Sequence, residues 1–405
     1  MHILVLDTIH GGKVIGAGYT ETGHTADVVD VYTGTTPDLM LAAKTRAYDL
    51  IVSPVHLDPD HPLLAHRNIP VITHHEAVRQ LLGEELPFPM IEITGTRGKT
   101  TTAYALAHVF QGKGILHTST GTYSYPGKTL LWKRSITPAS VIPAVRNAGR
   151  MPGWLIAEIS LGVTGSGDLA IITSSEDYTF AGGKKSALTE KTASARHAKQ
   201  LLVAQDILTD QENVMHVNDI ARCEGMMCTL EWEGMKFVLK NPLFNLPSYR
   251  TPLMLAGAAA MILHVNPLPL GSFTALPGRM SVSHEGNRIV VDNANSGTNI
   301  TTTLCAARYA RSSAQRQDLT LVIGQVEGDG AVCEGFSFDQ IACAIGTVQP
   351  THVVWVGRFP DPGSDLYDEL KGKIDAFCTT LEEARNTALR IAGEGSIILS
   401  VKTWR

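Results

Sequence analysis

Between residues 95 and 100 the chain reads Gly-Thr-Arg-Gly-Lys-Thr, a set of residue types able to hold phosphate. Gly95 and Gly98 let backbone N–H groups close on phosphate oxygens. Lys99 adds a full charge for the β- and γ-phosphates, and Thr100 offers a hydroxyl to Mg2+. The usual loop of this type carries a glycine five positions before Gly98, where this chain has Ile93, so a shortened loop is expected. Glu158 ends the apolar run WLIAE (154–158). A carboxylate at a strand end across from a phosphate loop suits Mg2+, whereas the plainer reading leaves it solvated and idle. Near the N-terminus, LDTIHGG (6–12) places Asp7, His10 and the pair Gly11 and Gly12 after a strand, an arrangement friendly to anions. Eight of the 15 histidines fall in the first 75 residues, among them His10, His24, His56, His61, His66, His74 and His75. Most such histidines are loop residues with no ligand, yet their density points to a polyanionic or metal-bearing substrate.

These groups need elements to position them. Ile91–Thr94 is expected as a strand and Thr101–Phe110 as a helix, so that the loop sits at a helix N-terminus, whose dipole end favours anions. Before them, short apolar runs (Ile3–Leu6, Val28–Val31, Leu50–Val52, Pro70–Ile72) alternate with helical patterns over Asp38–Ala47 and Glu76–Leu82, which implies a small parallel α/β sheet. The proline-containing stretches ELPFPM (85–90) and NPLPLGSFTALPGR (266–279) read as breaks. They divide the chain into expected domains at 1–88, 89–272 and 273–405. The third block carries the strands RIVVD, LTLVIG, THVVWVG and SIILSV, again spaced by helices.

With 405 residues, 44% hydrophobic and 18% charged content, the chain has the make-up of a soluble globular protein. A net charge of −5 argues against a nucleic-acid partner, whose footprint would be basic. Six cysteines without a C-x-x-C pair read as reduced thiols rather than a disulfide frame or zinc site. MHILVLD is too short an apolar start for a signal peptide, and the run Leu253–Leu263 is too short to span a bilayer. A cytoplasmic protein is expected, without a membrane partner.

The order of short motifs resembles that of the Mur ligase family, ATP-dependent ligases that include peptidoglycan and folylpolyglutamate synthetases. GTRGKTT (95–101) is similar to the family's GTxGKTT loop, in which the shortened form is normal. SITPAS (135–140) resembles its TTP segment, with Thr137 and Pro138, and WLIAEIS the strand ending in the Mg2+-binding glutamate, here Glu158. LAIITSSEDY (169–178) resembles AxxTNxxxDH, with Tyr178 where the family has a metal-binding histidine; Glu176 or Asp177 would then complete any second metal site. ASARHAKQLL (193–202) resembles the segment with the carbamylated lysine, here Lys199. The spacing from Tyr178 is longer than usual, so Lys191 is a live rival. LPGRM (276–280) and VVDNANS (290–296) resemble the elements opening the family's C-terminal domain.

The resemblance implies a three-domain α/β architecture of parallel sheets flanked by helices around a central P-loop ATPase domain, with ATP and Mg2+ as cofactors. It implies nucleotide binding by Gly95, Thr96, Arg97, Gly98, Lys99, Thr100 and Thr101, joined by Arg279, Asp292 (on the ribose) and Asn295. Thr100, Glu158 and Lys199 would hold the metal, and Lys99, Glu158 and Lys199 would be catalytic. Asp7, His10, Gly11, Gly12 and Thr137 would meet the large substrate. The reaction implied is activation of a carboxylate as an acyl phosphate. The short N-terminal block, LDTIHGG and DNANSGT resemble most an archaeal branch of the family that completes coenzyme F430, in which a ring carbon of a nickel tetrapyrrole polycarboxylate attacks the activated propionate. An amide ligase joining an amino acid to a carboxylate is the nearer rival, and an ATP-binding regulatory module the distant one. The oligomeric state stays open.

Overall fold

The computed structural model describes residues 1–403 apart from 33–35, 66–67, 151–152, 210, 287, 314–316 and 327–335. His66 and Cys333 therefore lie outside the described residues. The chain divides into two compact units, one formed by 1–245 with 249–273 and the other by 246–248 with 274–405.

In the first unit a four-stranded parallel sheet has the order Thr25–Val29, His2–Leu6, Leu50–Ser53, Val71–Thr73. A parallel sheet must be covered on both faces, and alternation along the first strand does this. Ile3 and Val5 enter one core and Leu4 and Leu6 another, all fully buried. Helix His74–Leu82 starts two residues before the expected Glu76, because Thr73 caps it. The Thr73 hydroxyl accepts from the Glu76 N–H while the Glu76 carboxylate accepts from the Thr73 N–H.

The larger sheet of this unit has eight strands in the order Val214–His216, Leu201–Val203, Leu169–Ile172, Met90–Thr94, Trp154–Glu158, Gly114–Thr118, Gly121–Tyr125, Thr129–Trp132. The first six run parallel and the last two fold back antiparallel. Ile3, Val5 and Ile15 share one core with Met90, Ile115, Ala139 and Leu155, so the two sheets of this unit are packed together rather than tethered. Each fully buried side chain of that size contributes about 1.5–3 kcal/mol. The apolar run from Leu253 lies in helix Pro247–Ile262 and is almost wholly buried. No helix among the described residues is long and apolar enough to cross a membrane.

The second unit holds a six-stranded sheet in the order Ser281–Glu285, Arg288–Asp292, Ser396–Lys402, Leu319–Gln325, His352–Gly357, Ala376–Cys378. Only its first pair is antiparallel.

Candidate active site

Strand Met90–Thr94 runs between Leu169–Ile172 and Trp154–Glu158, and the loop leaves it at the carboxyl end of the parallel strands, where ligands of open α/β sheets bind. Gly95 and Gly98 hold φ of 139° and 83°. A Cβ on Gly95 would stand 2.2 Å from Thr173 Oγ1, so only glycine fits. Helix Lys99–Val109 follows without a side-chain cap, which leaves its first N–H groups to a ligand. Lys99 Nζ donates to Gly95 O at 2.9 Å across the loop. Thr101 is buried in the first turn. The loop is braced from the neighbouring strand: Thr96 and Arg97 N–H both donate to Ser174 Oγ, and Arg97 pairs with Glu176.

Glu158 is paired in register with Ile93 and is 2% exposed. Its Oε2 accepts from Thr100 Oγ1 at 2.8 Å and from the Ser119 N–H at 3.1 Å. The two expected Mg2+ ligands therefore meet. Their donor set is carboxylate and hydroxyl oxygen, the hard ligands Mg2+ prefers, and the buried carboxylate has little water to neutralise it.

The lysines separate. Lys199 side chain is 70% exposed and donates to Asp168 Oδ1 at 2.7 Å. Asp168 also accepts from the Met90 N–H, at the amino ends of the parallel strands and so at the opposite edge of the sheet from the loop. Of the two candidates, Lys191 is the one placed beside the loop. That residue is 1% exposed, its Nζ donates to Thr96 Oγ1 at 2.8 Å, and it lies over the Tyr178 ring at 5.2 Å. The Tyr178 ring thus covers the amine. Asp177 accepts from Ser186 Oγ and the Leu188 N–H at the start of helix Ala187–Ala195, which fastens its carboxylate there.

The N-terminal turn also gathers its expected residues. Asp7 is fully buried with φ of 85°, its Oδ1 accepting from the Ile9 N–H and its Oδ2 lying 2.7 Å from His10 Nδ1. Burial pushes the Asp7 pKa up, but the bond to His10, its charge and the two N–H donors outweigh it and hold the carboxyl below the usual range. Gly12 passes so close to Asp7 O that a Cβ would lie 1.8 Å away. At Gly11, with φ of 103°, a Cβ would stand 3.3 Å from Thr137 Oγ1, which brings Thr137 to this turn. His56 joins from the next strand, its ring 4.4 Å from that of His10, and burial lowers its pKa to about 4. His74 and His75 instead bond the carbonyls of Leu6 and Ser160. Beside His75 a cavity of about 150 Å³ is lined by Glu76, Glu190, Ser194, Arg196 and His197.

In the second unit, Asp292 ends strand Arg288–Asp292 and its Oδ1 accepts from the Ala294 N–H. Asn295 Nδ2 donates to Gly278 O at 2.6 Å, next to Arg279.

Sequence reasoning did not single out Ser119, Ser174 or the pairing of His56 with His10. Each depends on strand register, which residue types alone do not disclose.

Residues 282–403 match the family described as coenzyme F430 synthetase CfbE, C-terminal domain. The chain is 29% identical over 476 aligned positions to the coenzyme F(430) synthetase of Methanosarcina acetivorans, covering 100% of this chain and 98% of that one. Among solved structures, a pseudomurein peptide ligase type C from Methanothermus fervidus superposes with a TM-score of 0.52 at 15% identity, covering 100% of this chain and 97% of the other. A bifunctional folylpolyglutamate synthase/dihydrofolate synthase bound to Mn, AMPPNP and L-glutamate gives 0.57 at 14% identity, over 92% of this chain and 96% of the other. The fold is that of the Mur ligases. This Mur ligase-like chain is similar, along its whole length, to a coenzyme F430 synthetase.

Proposed function

We propose that this chain is an ATP-dependent ligase that activates a substrate carboxylate as an acyl phosphate and then closes a carbon ring, yielding coenzyme F430 from a nickel tetrapyrrole seco-acid with release of ADP and phosphate. The observation that carries the ATP chemistry is the buried contact of Thr100 with Glu158 directly under an uncapped helix start and Lys99. The substrate is inferred from the full-length relative.

A carboxylate resists attack because an oxide or hydroxide would have to leave. When one of its oxygens takes the γ-phosphoryl group, the acyl carbon gains phosphate as a good leaving group. The transfer concentrates negative charge, so the work left to the protein is positioning and charge stabilisation. Lys99 and the N–H groups of the helix start meet phosphate oxygens. Thr100 and Glu158 are the residues that would hold Mg2+, which would screen the phosphates as a Lewis acid. Lys191, carbamylated, would turn a buried cation into a further anionic ligand. Thr96, Arg97 and Ser174 keep the loop's shape. Arg279, Asp292 and Asn295 are proposed for the nucleotide on the resemblance of their motifs. Asp7, His10, Gly11, Gly12 and Thr137 are proposed for the tetrapyrrole. The domain limits 1–88, 89–272 and 273–405 and a cytoplasmic location belong to the same proposal.

Two experiments test this reading. Purified protein with ATP, Mg2+ and carboxylate-bearing nickel tetrapyrroles should release ADP in step with substrate loss; ADP release indifferent to every tetrapyrrole would refute the substrate. Glu158→Gln keeps shape and removes one charge. ATP should still bind, while turnover drops about 10²-fold or more and the Mg2+ concentration needed rises. An unchanged Mg2+ titration would return Glu158 to an idle carboxylate.

A further inference from the structure

We propose that His10 is the general base of the ring closure, taking the proton from the attacking carbon, with Asp7 as the residue that orients it. The inference rests on the tetrapyrrole reading above and adds to it the group that makes the carbon nucleophilic.

The need for a base follows from the chemistry. An amine attacks an acyl phosphate with a lone pair it already has. A carbon bearing hydrogen has no such pair until its proton leaves. In the step proposed, the C–H electrons become the new carbon–carbon bond and the proton goes to the base. The acyl carbon–oxygen bond breaks with its electrons on the departing phosphate, and nothing is oxidised or reduced. Glu158 is already engaged by Thr100 and the Ser119 N–H, so the proton needs another acceptor.

The turn after strand His2–Leu6 holds one. Asp7 Oδ2 lies 2.7 Å from His10 Nδ1, and the N–H groups of Ile9 and His10 donate to the same carboxylate. Asp7 is held in its ionised form, so the hydrogen between the two belongs to Nδ1 and Nε2 carries the lone pair. Once Nε2 takes a proton, the buried carboxylate stabilises the imidazolium, as in other carboxylate–histidine pairs. Nε2 has no hydrogen-bond partner among the described residues, and the His10 side chain is 28% exposed, so a substrate can reach it. His56 differs, because its Nε2 is buried. Its ring packs edge-on against that of His10 at 4.4 Å, and Tyr32 does the same at 5.6 Å, which fixes the plane of the base. Burial keeps His56 neutral, so it sets no second cation beside the imidazolium. The turn is also tied to the residues that activate the carboxylate. Two residues beyond Glu158, the Ser160 N–H donates to Ile136 O, and the next residue, Thr137, is the one that meets Gly11. Attack within one molecule requires base and activated carboxylate to be neighbours in this way.

The test runs the full chain with ATP, Mg2+ and saturating nickel seco-acid tetrapyrrole, quenches with hydroxylamine and measures both products by mass. Hydroxylamine turns waiting acyl phosphate into a hydroxamate, whereas ring closure gives a product lighter by one water. In His10→Gln and His10→Ala the ratio of ring-closed product to hydroxamate should fall about 10²-fold or more against wild type, the scale on which a general base contributes. Imidazole added to His10→Ala should raise the ratio again, which the loss of a positioning contact would not allow. Because the ratio is taken within one sample, partial unfolding of a variant does not change it. An unchanged ratio in both variants, whether the two products persist or fall together, would overturn the base. A fallen ratio that imidazole does not raise would make His10 a positioning residue and overturn it too. In either case a wild type that forms hydroxamate and closes the ring leaves the tetrapyrrole reading standing. A wild type that yields neither product ends that reading and the inference with it.

Discussion

Replacing Lys99 by alanine is expected to leave a folded protein whose turnover is lower by about 10³-fold or more. The side chain starts an uncapped helix and crosses the loop to Gly95 O, so its charge stands where phosphate oxygens would gather. It is not among the residues of the N-terminal unit's apolar clusters around Ile3, Leu4 and Ile172, and its loss removes charge rather than packing. The loop shape is kept by Gly95, Gly98 and the Ser174 brace, none of which the substitution touches. Steady-state ADP release, with circular dichroism to verify folding, checks the result. Near-normal turnover in folded Lys99→Ala protein would end the phosphate-loop assignment.

The second large effect separates the two lysines. Lys191→Ala should lower turnover about 10²-fold or more, because it removes the only lysine among the described residues that donates to the loop residue Thr96. Added acetate or formate should partly restore the rate by supplying the missing carboxylate beside the metal. Lys199→Ala should change the rate by less than about twofold, since an exposed ion pair of the kind made with Asp168 is worth about 0–1 kcal/mol. Rescue by carboxylate in Lys199→Ala, and its absence in Lys191→Ala, would reverse the assignment.

The separation of Lys199 from the loop has a physical reason. Helix Ala187–Ala195 buries Ala187, Lys191 and Ala195, a stripe at every fourth residue. Continued in sequence, that stripe reaches residue 199, and the motif resemblance points the same way. The helix stops at Arg196, however, and Lys199 belongs to the approach to strand Leu201–Val203. Helix ends are the least legible part of a sequence, and here one end decides which amine is buried. The loop itself was plain, because glycine, lysine and threonine between an apolar strand and a helix have few other uses. So was the α/β alternation, which depends on runs of Ile, Leu and Val such as Ile3–Leu6 and Leu50–Val52. The antiparallel strands Gly121–Tyr125 and Thr129–Trp132, and the three-stranded meander Ala221–Glu224, Met227–Trp232, Met235–Lys240, were not. They are half-polar segments whose pairing is set by turns and neighbours rather than by a strong apolar period. The joining of His10 to His56 was equally hidden, since it follows from adjacent strands that are far apart in sequence.

The central claim is that the nucleophile belongs to the same molecule as the activated carboxylate. Holding both in one pocket makes attack intramolecular, for which effective molarities of about 10⁵ M or more are attainable. The deciding measurement is the mass of the organic product, with and without an amino-acid mixture, from protein, ATP, Mg2+ and the nickel seco-acid tetrapyrrole. A product lighter than its substrate by one water, formed without any added amine, is the predicted result. A product that appears only with the mixture, heavier by an amino acid less water, would contradict ring closure and make the chain an amide ligase.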